Sequence, residues 1–120
     1  MSNPSRPTNA FRLDVERRGN ATIVKFAGSA NMEVSSDLRE QLIELVDDQF
    51  VQLVLDMSEL EFICSVGLGA IIAAHLRCRH CNGVVKLVDP KPAIRELLEV
   101  TRLTKLFDLY DSVDSALAAG

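Results

Sequence analysis

The chain has 120 residues and a formal net charge of −4, with 48% hydrophobic and 25% charged residues. This composition is that of an ordinary soluble globular protein with one hydrophobic core. The acidic balance, the lack of Trp and the single Tyr exclude the basic stripe or aromatic platform of a typical nucleic-acid binder. We expect residues 1–10, which are polar and carry two prolines, to form a flexible tail, and residues 11–120 to form a single domain.

The cysteine count and the apolar runs bear on the compartment. Three cysteines without an apolar export segment predict free thiols in a reducing environment, and therefore a cytoplasmic protein. The longest apolar run, residues 66–74, is far shorter than the roughly 20 residues that a membrane span requires. No membrane span is expected.

The first third of the chain changes from a strand pattern to a helix pattern. Hydrophobic and polar residues alternate through residues 11–27 around the turn signal Gly19-Asn20, which predicts an antiparallel hairpin. The next apolar residues recur at helical spacing and predict the first helix. They are Val34, Leu38, Leu42, Leu45 and Val46.

The rest of the chain alternates strands with helices. Residues 51–56 and 84–88 are nearly continuous apolar runs, as in central parallel strands. Between them, an apolar-rich stretch from Ser65 to about Arg79 predicts a helix, and a third helix begins near Pro92. A short extended piece and a small terminal helix capped by Asp111 or Ser112 complete an α/β fold. The predicted architecture is a mixed sheet of four or five strands packed with about four helices.

The most informative residues surround Ser65, which we place at the N-cap or first turn of the second helix. A helix N-terminus presents unpaired backbone N–H groups and a partial positive charge, so it favours an anion there. Gly67 and Gly69 each cost about 1 kcal/mol of helix stability relative to Ala, which points to packing or to the close approach of a partner. The structural alternative is that Ser65 only caps the helix and that both glycines only pack on the sheet.

These residues resemble the signature of the STAS domain family, the fold of anti-sigma factor antagonists. The resemblance rests on Leu55-Asp56-Met57-Ser58, Phe62-Ile63, Ser65 and Gly67-Leu68-Gly69. It extends over nearly the whole chain, including the opening hairpin and Leu87-Val88-Asp89-Pro90 before the third helix. Cys64 and Asn31 stand at positions where family members commonly carry an aspartate.

The resemblance implies a regulatory protein-binding module, not an enzyme and without a cofactor. In the family, the serine at this position is phosphorylated by an anti-sigma factor that is also a serine kinase, and a metal-dependent serine phosphatase removes the phosphate. Ser65 is accordingly the implied phosphorylation site. The implied partner-binding residues are Asn31, Asp56, Ser58, Cys64, Ser65, Val66, Gly67 and Leu68. The alternative is a phosphorylation-independent STAS subunit of a larger lipid-transport or stress-sensing assembly.

Two other chemistries are weighed against this interpretation. A serine hydrolase is rejected because Ile63 replaces the first glycine of the nucleophile elbow, and because His75 would lie roughly 15 Å along the helix from Ser65. Cys78 and Cys81 form a lone Cys-x-x-Cys pair at a helix end without a second ligand pair, so no metal site is expected. We expect His75, Arg77, Arg79 and His80 to complement the negative end of the helix dipole.

Overall fold

A computed structural model of the chain describes residues 11–119. The tail predicted for residues 1–10 lies outside the described residues. The elements follow in the order β1 Arg12–Arg18, β2 Ala21–Ala30, α1 Met32–Leu45, β3 Gln52–Ile63, α2 Ser65–His80, β4 Val84–Val88, α3 Pro92–Val100, a 3-10 turn at Leu103–Lys105, β5 Asp108–Tyr110 and α4 Val113–Ala118.

The five strands form one mixed sheet in the order β1-β2-β3-β4-β5. β1 pairs antiparallel with β2, and each of the other neighbouring pairs is parallel. The predicted mixed α/β fold with four helices is therefore confirmed.

The alternation of side chains along the central strands divides the core into two parts. Val24, Leu53 and Leu55 point to one face, where they pack with α1, α2 and α3 in the main hydrophobic cluster. Ile23 and Val54 point to the other face and pack with α4 in a smaller cluster. Helices therefore cover both faces of the sheet: α1, α2 and α3 pack on one face, and α4 packs on the other.

The predicted end of the third strand is wrong. The apolar run 51–56 does not stop at Asp56, because β3 continues to Ile63 and pairs with β2 throughout. Two register shifts along β2 interrupt the pairing, so the buried residues in this part of β3 recur every third position. They are Met57, Leu60 and Ile63. The residues from Met57 to Ile63 are thus strand, although the predicted run 51–56 does not include them.

α4 is held against the sheet by a buried lysine. The Lys86 ammonium donates hydrogen bonds to Gln52 Oε1 and to the Ala116 carbonyl oxygen, each at 2.7 Å. Burial lowers the pKa of Lys86, and the negative charge of Asp108 opposes that effect. Ser112 caps α4, as one of the two predicted caps.

The role expected for His75 is wrong. Arg77, Arg79 and His80 lie in the last turn of α2 as predicted, but the His75 side chain is buried. Its ring packs edge-to-face on Phe107 with the centroids 5.1 Å apart. Neither ring nitrogen has a hydrogen-bond partner among residues 11–119. Burial, with a smaller contribution from the Arg79 charge, lowers the pKa of His75, so the ring is neutral and does not serve the helix dipole.

Candidate functional site

Two strand-to-helix junctions lie side by side at one end of the sheet. A single residue, Asn31, connects β2 to α1, and a single residue, Cys64, connects β3 to α2. β2 and β3 are parallel, and Ala30 pairs with Ile63 at their ends. The Cys64 amide also donates to the Ala30 carbonyl at 3.0 Å. The N-termini of α1 and α2 are therefore neighbours at the carboxyl ends of adjacent parallel strands, where α/β proteins commonly place functional sites.

Ser65 is the first residue of α2 and is exposed to solvent. Cys64 occupies the N-cap position, so the alternative in which Ser65 only caps the helix is wrong. The Ser65 hydroxyl makes no hydrogen bond within the described part of the chain. It is therefore free to react or to contact another molecule.

The charge around the two helix starts differs. α1 carries Glu33 in its first turn, whereas the first turn of α2 contains no acidic residue. The Asn31 side chain also accepts a hydrogen bond from the Val34 amide and caps α1, while Cys64 makes no side-chain cap bond. The partial positive charge at the start of α2 is thus less compensated than that of α1, which favours an anion at Ser65.

Cys64 is half-buried beside Ser65, and its thiol is perturbed. Burial acts to raise the pKa of Cys64, but the nearby Ser35 hydroxyl and the N–H groups of Gly67 and Val66 at the start of α2 together outweigh it, although the sulfur makes no cap hydrogen bond. The net effect lowers the pKa of this thiol, as expected for a cysteine at a helix N-terminus. Cys78 differs, because burial raises its pKa to about 11.

Gly67 and Leu68 do not lie on the surface with Ser65. Leu68 belongs to the main core, and Gly67 is buried where α2 crosses α1. A Cβ atom on Gly67 would lie 2.6 Å from Ile63 Cγ1 and 3.0 Å from Ser35 Oγ. Packing within the chain therefore explains Gly67, which is the first of the two explanations that the sequence leaves open.

Asp56 and Ser58 are also apart from Ser65. Both belong to β3, where the Asp56 carboxylate accepts the Ser58 amide at 3.0 Å. At about 3.3 Å per residue, the strand places Asp56 roughly 20 Å from Ile63. Asp56 instead lines a groove of about 350 Å³ on the α4 face, together with Lys25 and Val113. The structure thus brings together Asn31, Cys64, Ser65 and Val66, and separates Asp56 and Ser58 from them.

The structure adds three residues that the sequence-based site omits. Met32 and Phe62 are 62% and 49% exposed, which is unusual for large apolar side chains, and both adjoin the two junctions. They lie near Val66, which the sequence-based site already includes and which is 40% exposed. Ser35 is buried and donates to the Ala30 carbonyl at 3.2 Å. Its position one turn before Leu38 on the buried side of α1 is the signal that could have identified it.

The described residues also bear on metal binding and on membrane insertion. Among residues 11–119, no group of three or more His, Cys, Asp or Glu side chains is arranged to hold a metal ion. Within the same range, no helix has the length and apolar character needed to cross a membrane.

Comparison with known proteins places this chain in a family. The family model named STAS domain matches residues 12–116, and the chain belongs to this family. Its similarity is to anti-sigma factor antagonists in particular. The crystal structure of one from Mycobacterium paratuberculosis has a TM-score of 0.82 and 30% identity, covering 99% of this chain and 97% of that one.

Two relatives found by sequence carry similar names. The anti-sigma F factor antagonist of Paenibacillus polymyxa is 27% identical over 94 residues, which are 78% of this chain and 80% of the relative. BtrV of Bordetella bronchiseptica, provisionally named an anti-sigma factor antagonist, is 27% identical over 109 residues, which are 91% of this chain and 94% of the relative.

Proposed function

We propose that this protein is an anti-sigma factor antagonist that binds an anti-sigma factor with serine kinase activity and is released when that kinase phosphorylates Ser65. The names of the relatives support the first part of this proposal. The observation that carries the second part is the exposed Ser65 hydroxyl, which makes no hydrogen bond in the described residues and lies at a helix N-terminus without an acidic residue in its first turn.

The docking surface of this proposal consists of the exposed residues at the two junctions. Met32, Phe62 and Val66 supply apolar contact area, and Asn31 and Ser65 supply polar groups at the same end of the sheet. Buried apolar contacts with a few polar groups are typical of protein interfaces. Cys64, half-buried, positions the start of α2 and is not part of the exposed surface.

A phosphate on Ser65 would act differently on the fold and on the complex. It adds about −1.5 to −2 charges at neutral pH, and the start of α2 stabilises negative charge by up to about 1–2 kcal/mol. The fold therefore tolerates the modification. In a complex, the same group must lose its water, which costs several kcal/mol unless the partner supplies cations. Each 1.4 kcal/mol lowers the affinity about tenfold, so the phosphate acts as an off switch. A metal-dependent serine phosphatase would restore binding.

The test begins with affinity purification of the tagged chain from its own cells and identification of the anti-sigma factor that it binds. That factor, with Mg²⁺ and ATP, should phosphorylate the wild-type chain at Ser65, as shown by peptide mass spectrometry. Ser65→Ala should abolish the phosphate and retain binding, whereas Ser65→Asp should bind at least tenfold more weakly. Ser58→Ala, at a serine on β3 away from the junctions, is the matched control and should be phosphorylated normally.

Two results would contradict this proposal. Phosphate on a different serine would remove Ser65 from the mechanism. Equal affinity of Ser65→Asp and Ser65→Ala for the anti-sigma factor would show that negative charge at this position does not control binding.

A further inference from the structure

A groove of about 420 Å³ lies between α1 and α2 and begins beside Ser65 at the α2 N-terminus. Its lining includes Ser36, Arg39, Val66, Gly69, Ala73 and Leu76. The groove continues the proposed docking surface away from the two junctions, because Val66 belongs to both. The shape and the charge of the groove indicate which kind of molecule it would bind.

The α2 wall of the groove has the pattern of a helix-packing face. Val66, Gly69, Ala73 and Leu76 are spaced by three, four and three residues, so they lie along one side of the helix. Val66 is 40% exposed and Leu76 is 55% exposed. Two exposed aliphatic side chains therefore flank two small residues, a shape that allows a second helix to approach the middle of α2.

Gly69 supports an occupant from outside the chain. A Cβ atom on Gly69 would have no heavy atom within 4 Å, whereas one on Gly67 would collide with Ile63. Glycine weakens a helix interior relative to alanine. At Gly67, packing within the chain explains why glycine is present despite this loss of helix stability. At Gly69, no contact within the described residues explains it. A binding partner that contacts the α2 backbone at Gly69 would explain why glycine is present there.

The charge of the groove indicates which chemical groups that partner would carry. Arg39 is the charged residue of the lining, and it makes no ion pair with any residue that the structure describes. The serine hydroxyls are already used, since Ser35 donates to Ala30 O and Ser36 donates to Glu33 O. A ligand of the groove therefore needs apolar side chains for α2 and a carboxylate for Arg39.

We infer that the α1–α2 groove seats an amphipathic helix of the anti-sigma factor, with its apolar face on Val66, Gly69, Ala73 and Leu76 and an acidic side chain paired with Arg39. This inference rests on the proposed function. It extends the docking surface from the phosphorylation site along α2, so that the partner helix contacts the groove while the kinase site contacts Ser65.

The test uses calorimetric titration of each variant with the anti-sigma factor that copurifies with the wild-type chain. Gly69→Ala should melt a few degrees higher than the wild type and yet bind about tenfold more weakly, because the methyl group fills the space that the helix needs. Leu76→Asp should bind at least about thirtyfold more weakly, because it puts a charge in place of an apolar side chain that the partner helix would bury. Val100→Asp, at an apolar residue of α3 that is 74% exposed, is the matched control and should bind normally.

A charge exchange tests the acidic contact. Arg39→Glu should weaken binding about tenfold, and a lysine in place of the facing carboxylate on the partner helix should restore it. Hydrogen exchange of the complex identifies that helix as the segment protected by the wild-type chain and not by Leu76→Asp.

The outcomes separate this inference from the proposed function. If Gly69→Ala and Leu76→Asp bind as tightly as Val100→Asp, the groove is not the seat, although the anti-sigma factor is still the partner. If the wild-type chain is a dimer in sedimentation and Leu76→Asp makes it a monomer, a second copy occupies the groove and the inference is wrong. A wild-type chain that binds no anti-sigma factor overturns the proposed function and this inference with it.

Discussion

The sulfur of Cys64 lies 3.5 Å from the hydroxyl oxygen of Ser35, which itself donates to the Ala30 carbonyl at 3.2 Å. Ser35 is buried in α1, Cys64 caps α2, and Ala30 ends β2. One buried hydroxyl therefore links the starts of both helices to the end of β2. Because Ser65 follows Cys64 directly, this contact fixes the position of Ser65 relative to α1.

The pKa values of Cys64 and Cys78 predict the relative reactivity of the two thiols. At about pH 7.5, Cys64 should react with iodoacetamide faster than Cys78, because the thiolate is the reactive form. The pKa of Cys64 is lowered, whereas burial raises that of Cys78 to about 11. Mass spectrometry of proteolytic peptides measures both rates. Equal rates at Cys64 and Cys78 would contradict the prediction.

The two glycines of α2 should respond to alanine in opposite directions. Gly67→Ala places a methyl group 2.6 Å from Ile63 Cγ1, and such overpacking costs about 1–3 kcal/mol. Alanine recovers only about 1 kcal/mol of helix propensity, so the free energy of unfolding should fall by up to about 2 kcal/mol. Gly69→Ala should raise it by about 1 kcal/mol. Urea denaturation measures both, and a shift of the same sign in the two variants would show that the packing difference has no energetic effect.

The sequence predicts the order of elements because most strands have simple patterns. β4 matches the apolar run 84–88, and the hairpin of β1 and β2 follows the alternation around Gly19. The second half of β3 is different, because the register shifts against β2 replace period-two burial by burial of every third residue. A pairing irregularity of this kind depends on the neighbouring strand and leaves no local signal.

The candidate site, like the fold, is predictable from the sequence only in part. The position of Ser65 at a helix start follows from the apolar-rich stretch that runs from Ser65 to about Arg79. The distinction between Gly67 and Gly69 does not, because it depends on Ser35 from α1. Asp56, an implied partner-binding residue, lies away from Ser65 because β3 continues beyond its apolar run to Ile63.

His75 should make the stability of the protein depend on acid. Its pKa is lowered from 6.5 in the folded state, so below about pH 6.5 the unfolded state binds more protons. Stability from this group is complete above about pH 6.5 and decreases as the pH falls toward the folded-state pKa. His75→Leu should remove this decrease between about pH 6.5 and 5. At pH 7 it should stay within about 1 kcal/mol of the wild type, because an apolar side chain replaces two nitrogens without partners.

Urea denaturation at a series of pH values measures this effect. His80→Gln, at an exposed histidine of the same helix, is the control and should keep the wild-type profile. A His75→Leu variant that loses as much stability on acidification as the wild type would assign the effect to other groups.

Lys86 should control how firmly α4 is attached. Lys86→Met keeps the length of the side chain but leaves Gln52 Oε1 and the Ala116 carbonyl without their donor, which costs about 1–3 kcal/mol. The loss should be concentrated in α4, because Ala116 is the point where the ammonium contacts that helix. In native-state hydrogen exchange, amides of α4 should therefore exchange faster in Lys86→Met, while amides of α2 should change little. Lys91→Met, at a lysine whose side chain is 40% exposed, should leave both helices unchanged.

The pH dependence of stability at alkaline pH provides an independent test of the role of Lys86. Burial lowers the pKa of Lys86 below its ordinary 10.5, so between the folded-state pKa and about 10.5 the unfolded state binds more protons. The contribution of Lys86 to stability should consequently rise with pH in that window, as its buried charge is neutralised. Lys86→Met should lack this rise relative to Lys91→Met in urea denaturation. Unchanged exchange of α4 together with an unchanged alkaline profile would mean that the apolar contacts of Val113 and Leu117 hold α4 without the lysine.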